Sequence, residues 1–170
     1  MQTMTVRWAY LSVGSNLGDP LANCRRGIEA VSRRPGIRLL ACSPFYRTGP
    51  VDYLEQDWFV NAAVKIETEL APRELLADLH SVQAAMGRGR QKVRFGPRIL
   101  DLDIIFYQDV VMQSETLTIP HPRMHKRRFV LQPICDIDPT IVHPVLQMNI
   151  KTLLNQDVVI NQDLAPCLSS

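Results

Sequence analysis

Two aspartates and a cluster of arginines stand side by side in the stretch GRGRQKVRFGPRILDLDIIF, residues 87–106. A glycine-punctuated loop carries Arg88, Arg90, Lys92, Arg94 and Arg98, and runs into an apolar segment interrupted only by Asp101 and Asp103. Alternate side chains of a strand share a face, so the two carboxylates point the same way with Cα atoms about 7 Å apart. Leu100, Leu102, Ile104 and Phe106 then take the other face. Like charges so close repel unless a cation lies between them, and hard oxygen ligands suit Mg²⁺. Ions about 3.5–4 Å apart can be bridged at this spacing. The arginine forks match phosphate oxygens. Together these residues suit a magnesium nucleotide. Taken singly, alternating Asp reads as a solvated sheet face and a basic run as a solvated loop. Their adjacency across the rigid Gly96-Pro97 joint is what favours the functional reading.

These side chains need a scaffold. Residues 6–13, apolar on both faces, predict a central strand. The turn GSNLGDP follows, then a helix to about Arg33 with Asp19 as N-cap, Pro20 as first residue and Leu21, Cys24, Ile28 and Val31 at helical spacing. Gly14, Ser15 and Gly18 lack the Lys and Ser/Thr of a nucleotide-binding P-loop, so they read as a capped turn. Residues 37–43 predict a short strand, and FYRTGPVDYLEQD a loop longer than connection requires, which suits a lid or binding role. Over 58–68 the alternation resumes, with Val60, Ala62, Val64 and Ile66 as the core face. Phe59 and Asn61 share the opposite face. They could stack on and hydrogen-bond a flat heterocycle, but from the residues alone an edge aromatic beside a turn-forming Asn is the preferred reading.

Pro72 opens a second helix whose stripe is Leu75, Leu76, Leu79, Val82 and Met86, stopped by Gly87, with Gln83 in its last turn directed toward the basic loop. The segment LTIPHPRMHKRRFVLQPICDIDP holds His121, His125, Arg127, Arg128 and Phe129, and Pro122 breaks the register that would let the two histidines share a metal. A short helix is expected over 150–154 and a poorly ordered tail from about Asn161. The order strand, helix, strand, strand, helix, strand predicts an α+β fold of the ferredoxin-like, split βαβ kind, with two helices burying one face of a mainly antiparallel sheet.

A chain of 170 residues fits one domain, here expected over 1–160 with 161–170 as the tail. A net charge of +2 is too small to advertise nucleic-acid binding. Four cysteines, at 24, 42, 135 and 167, have no zinc or disulfide spacing and suit a reduced, cytoplasmic protein. No apolar stretch approaches a membrane span, and MQTMTVRW lacks the hydrophobic region of a signal peptide; Met1 and Met4 are both possible starts.

The strings SVGSNLGDP, SPFYRTGPV, FVNAAV, GRGRQKVRFGPRILDLDI and IPHPRMHKRRFVL occur in this order over roughly residues 8 to 145. In this the chain resembles the 6-hydroxymethyl-7,8-dihydropterin pyrophosphokinases of folate biosynthesis, and GPR-x-L-D-L-D followed by P-H-P-R is the most specific part. The resemblance implies a diphosphokinase that moves the β,γ-pyrophosphoryl group of ATP to the pterin hydroxymethyl oxygen and releases AMP. It implies that Asp101 and Asp103 hold two Mg²⁺ ions, and that Arg88, Arg98 and His121 join them as catalytic residues. Gln83, Arg88, Arg90, Arg98, Ile104, Thr118, His121 and Arg127 would bind ATP; Thr48, Val51, Phe59, Asn61, Phe95 and Phe129 would form the pterin slot. The implied partners are ATP and the pterin, with no nucleic acid and no membrane, and a monomer is expected with a dimer left open. The loops 47–57 and 87–97 would act as lids that exclude water. Two departures stand out: Gln83 replaces a typical glutamate and Phe95 a common tryptophan.

Two rivals share some of these features. A metal-dependent nucleotidyltransferase also uses a Gly-Ser turn and an Asp-x-Asp strand, but there the turn lies close before the acidic pair, whereas Gly14-Ser15 lies far upstream of Asp101. A ferredoxin-like RNA-binding domain would stack bases on exposed aromatics, yet two aspartates on its sheet would repel a phosphate backbone.

Overall fold

The computed structural model describes residues 5–87 and 96–168. β1 (Arg7–Ser15) is central, pairing antiparallel with β4 (Phe59–Thr68) on one side and β5 (Asp101–Tyr107) on the other. β2 (Ile37–Cys42) and β3 (Tyr46–Thr48) both pair with β4, and β3 pairs in turn with β8 (Leu164–Pro166). The resulting path is β5-β1-β4-β3-β8, with β2 beside the other half of β4. A two-stranded ribbon, β6 (Met112–Gln113) and β7 (Thr118–Ile119), stands apart. The architecture is mixed helix and antiparallel sheet. Among the described residues, no helix is long and apolar enough to cross a membrane.

Helices α1 (Pro20–Ser32) and α2 (Pro72–Ala85) cover one face of the sheet. Asp19 Oδ1 accepts from Ala22 N at 3.1 Å and Pro20 follows, which starts α1 where the sequence predicts. Glu74 Oε2 accepts from Ala71 N at 2.7 Å at the head of α2, and Gly87, at φ +91°, ends it. Their apolar stripes meet Leu11, Val13, Val64, Ile66, Leu102 and Ile104 in a first core. The α1 contact is close: a Cβ at Gly27 would stand 2.7 Å from Leu100 Cδ1.

The other face is not left to solvent, as a plan with two helices would leave it. α3 (Arg128–Ile137) and α4 (Ile150–Leu154) cover part of it, burying Val130, Leu131, Ile134, Ile150 and Leu153 against Tyr10, Ala63, Ile105 and Phe106 in a second core. α3 contains Pro133, whose missing N–H and bulky ring argue against a helix when the sequence is read locally. Burial of Val130, Leu131, Pro133 and Ile134 outweighs that local cost. Phe106 also departs from simple alternation. A bulge where Tyr10↔Phe106 gives way to Leu11↔Ile104 shifts the register, so Ile105 and Phe106 both join the second core.

The tail departs further from expectation. Beyond Asn161 the chain forms β8, with Thr48↔Leu164, Arg47↔Ala165 and Tyr46↔Pro166 in register. Ladder bonds to β3 and burial of Cys167 against the first core offset the entropy of ordering this terminus.

Candidate active site

The cleft opens on the α3/α4 face, at the end of the sheet those helices leave uncovered. Three strands build its floor. In register, Gly14 of β1 lies between Asn61 of β4 and Asp101 of β5, and Ser12 lies between Ala63 and Asp103. Directly paired residues project to the same face, so Asn61, Asp101 and Asp103 all look into the cleft across the small residues Gly14 and Ser12. A Cβ on Gly14 would stand 2.6 Å from Asn61 Oδ1, so only glycine lets that amide lie flat over the strand. The cavity measures about 350 Å³, within the range of small-molecule sites.

One wall carries charge. Arg98 Nη1 lies 2.7 Å from Asp101 Oδ1, with 17% and 23% of the two side chains exposed, a half-buried pair open to a ligand. Arg123 and Arg127 add cations at the rim, and Arg127 Nη2 is 3.5 Å from Asp52 Oδ2. Burial lowers the Arg127 pKa, opposed by the attraction of Asp52. His121 Nδ1 accepts from Arg123 N at 3.1 Å, so its proton belongs on Nε2. Burial first, then the neighbouring Arg127, push its pKa down to about 4, against the opposing pull of Asp101. A pKa lowered that far leaves the imidazole neutral at pH 7, with its Nε2–H as the ring's donor group.

Another part of the lining is aromatic and apolar, with an amide beside it. Phe59 and Phe129 line it, and Val51 closes one side. Asn61 Nδ2 donates to Thr48 Oγ1 at 2.6 Å, which fixes the amide; Thr48 is fully buried and Asn61 is 5% exposed. The Arg127 guanidinium sits 5.5 Å from the Phe129 ring centroid and joins the two walls.

Of the residues singled out in the sequence, the cleft thus brings together Thr48, Val51, Phe59, Asn61, Arg98, Asp101, Asp103, His121, Arg127 and Phe129. Arg88, Arg90 and Phe95 lie outside the described residues. Three named for ATP stand off the cleft lining. Ile104 is in the first core, Thr118 is in β7, and Gln83 is 1% exposed between α2 and β5. Gln83 Oε1 accepts from Leu102 N at 3.0 Å, so its side chain reaches the strand between the two aspartates and helps to hold it.

Sequence reasoning missed other contributors. Asn16, 2% exposed, accepts from Arg98 N on Oδ1 at 2.7 Å and donates from Nδ2 to Gln56 Oε1 at 2.9 Å and Asp57 O at 3.2 Å. It ties the 49–57 loop to the arginine beside the carboxylates. Locally it looks like any turn asparagine, and nothing in its neighbours in sequence signals partners so far along the chain. Asp52, Gln56, Arg123 and Gln162 also line the cleft, each from an irregular segment without periodicity.

The carboxylates suit magnesium better than a metal held by protein alone. Among the described residues no group of three or more His, Cys, Asp or Glu is placed to hold an ion. Mg²⁺ is typically held by one or two carboxylates with water and substrate phosphates completing the shell, which is the donor set Asp101 and Asp103 offer.

A mixed helix and antiparallel-sheet scaffold, with paired carboxylates beside arginines in a cleft that also carries aromatic side chains, defines the class of a phosphoryl-transferring enzyme. The chain belongs to the 7,8-dihydro-6-hydroxymethylpterin-pyrophosphokinase (HPPK) family, whose model matches residues 10–139. It is 45% identical over 134 residues to a 2-amino-4-hydroxy-6-hydroxymethyldihydropteridine pyrophosphokinase of Methylorubrum extorquens, covering 79% of this chain and 84% of that protein. With the enzyme of the same name from Haemophilus influenzae it shares 41% over 140 residues, covering 82% and 87%. It is also 40% identical over 148 residues to the folic acid synthesis protein fol1 of Schizosaccharomyces pombe, of which it spans only 20%. Among solved structures, the fold resembles wild-type Plasmodium falciparum HPPK-DHPS with pterin and p-hydroxybenzoate at a TM-score of 0.70 and 16% identity. That match covers 89% of this chain and 42% of the other.

Proposed function

We propose that this chain transfers the β,γ-pyrophosphoryl group of ATP to the hydroxymethyl oxygen of 6-hydroxymethyl-7,8-dihydropterin, releasing AMP. The observation that carries this reading is a single cleft in which Asp101, Asp103 and Arg98 face the same space as Asn61, Phe59 and Phe129. The pterin lies between the two phenyl rings, with its edge read by Asn61 in the orientation Thr48 enforces. Arg98, Arg127 and the Nε2–H of neutral His121 grip phosphate oxygens from two sides, so the reacting groups meet in line. Asp101 and Asp103 would hold magnesium, taken as two ions, which would supply neutralisation of charge on the polyphosphate. No side chain in the cleft is placed as an obvious general base, so positioning and electrostatics supply most of the rate. Arg88 and Arg90, assigned to ATP, and Phe95, assigned to the pterin slot, lie outside the described residues.

The strand order supports the finer reading of the fold. Leaving out β3 and β8, the sequence β5-β1-β4-β2 with α1 and α2 on one face follows a ferredoxin-like, split βαβ plan. Four free cysteines suit a cytoplasmic setting.

Incubation of the protein with magnesium ATP and the reduced pterin tests the reaction. AMP and a pyrophosphorylated pterin in equal amounts are expected. Nucleotide attached to the acceptor would make the chain a nucleotidyltransferase, and absence of any product would overturn the enzymatic reading.

A further inference from the structure

The C-terminal segment, outside the span matched by the family model, crosses between the two walls of the cleft. Ile160 N donates to Lys126 O at 3.0 Å, next to Arg127 on the charged wall. Two residues on, Gln162 lines the cleft itself, and its Nε2 donates to Gly49 O. Gly49 N donates to Asp163 O at 3.0 Å, so the peptide groups on both sides of Gly49 are held by this segment. Beyond it β8 pairs with β3, placing Leu164 opposite Thr48. The span 160–164 thus braces the start of the 49–57 loop against the segment that leads into α3.

Among the described residues, Gln162 is the only side chain of that brace that lines the cleft. Its Oε1 is buried without a hydrogen-bond partner. A buried acceptor left unmet costs stability, and a methionine would fill the same space without that cost. An amide kept there despite its unmet oxygen is explained by its N–H. That N–H fixes the carbonyl of Gly49, which lies between Thr48 and the Pro50-Val51 edge of the slot.

We propose that Gln162 is a positioning residue for the pterin. By holding Gly49 it sets the distance of the Thr48–Val51 edge from Phe129, and with it the fit of the flat substrate, while the phosphate-gripping wall is left as it is. This rests on the pterin occupying the slot as described under the proposed function.

The test is a kinetic comparison of the full chain with Gln162→Met, which keeps side-chain length and removes the donor. Loss of one such hydrogen bond predicts a KM for the pterin raised about three- to tenfold, with the KM for ATP unchanged within experimental scatter. Gln162→Asn keeps the amide but is one methylene too short to reach Gly49. It should show the same split, and it serves as the test if the Met variant fails to fold. An unchanged pterin KM in both, or a parallel rise in both KM values, overturns the proposal. Wild-type protein that forms no AMP overturns the reading of the slot itself, and this inference with it.

Discussion

Arg98 is ion-paired with Asp101 at 2.7 Å on the same edge of the cleft, three residues away along the chain. Without nucleotide the guanidinium neutralises the carboxylate, so a divalent ion arriving there must compete with it. Arg98→Met should therefore bind Mn²⁺, as a spectroscopic substitute for Mg²⁺, about three- to tenfold more tightly in the absence of ATP, since a charge pair with part of each side chain still in contact with solvent is screened to modest energies. The same variant should lose turnover, because the phosphate fork is gone. Paramagnetic titration and steady-state assays read the two effects separately; weaker Mn²⁺ binding would show that Arg98 does not compete for Asp101.

Gly14 separates Asn61, the amide proposed to read the pterin, from the first carboxylate, and the 2.6 Å approach of a Cβ to Asn61 Oδ1 leaves no room for alanine. Asn61 cannot retreat without breaking its 2.6 Å bond to Thr48. Gly14→Ala is expected to raise the KM for the pterin about tenfold and to cost about 1–2 kcal/mol of stability through overpacking. A crystal structure of the variant with the Asn61–Thr48 bond intact would contradict this.

Gln83 meets the N–H of Leu102, which lies between Asp101 and Asp103. Gln83→Leu strands that donor in the interior at a cost of about 1–3 kcal/mol, and Tm should fall by several degrees. Turnover should fall with it as the strand holding the carboxylates shifts. Gln83→Glu retains an acceptor at the same place. A Glu variant that damages Tm as much as Leu would show that the acceptor is not what matters.

His121 makes stability depend on pH. Its folded pKa of about 4 lies below the ordinary 6.5 because burial and Arg127 disfavour the charged ring. Between these values the unfolded chain binds a proton that the native state excludes. The contribution is present in full above about pH 6.5 and is lost as pH falls toward 4. His125 and His143 are lowered too, both chiefly by burial, and act in the same direction. His121→Gln should flatten the decline of Tm from pH 6.5 to 4 without abolishing it. An unaltered slope would mean that the ring is protonated in the fold.

Much of this site could be read from residue types, because its chemistry is local. Asp101 and Asp103 share a strand, Arg98 is close by, and Asn61 alternates with a core face; all depend on neighbours one to three residues away. What escaped depends on partners far along the chain. The brace by Gln162 needs β8 to pair with β3, and nothing in the short, aperiodic segment 155–163, NQDVVINQD, announces it. The second core was hidden by Pro133, a local helix breaker retained within α3 by long-range burial. Phe106 went to the face opposite to its alternation because a bulge inserts Ile105, and register slips of one residue leave no mark in the pattern that precedes them.

Asn16 clasps the backbone of Arg98 with its Oδ1 while its Nδ2 clasps Gln56 and Asp57. One planar amide is therefore a rivet shared by the anion-gripping rim and the loop that encloses the heterocycle. Unlike the brace at Gln162, which bears on one edge of the slot, damage at this rivet would spread to both ends of the cavity together.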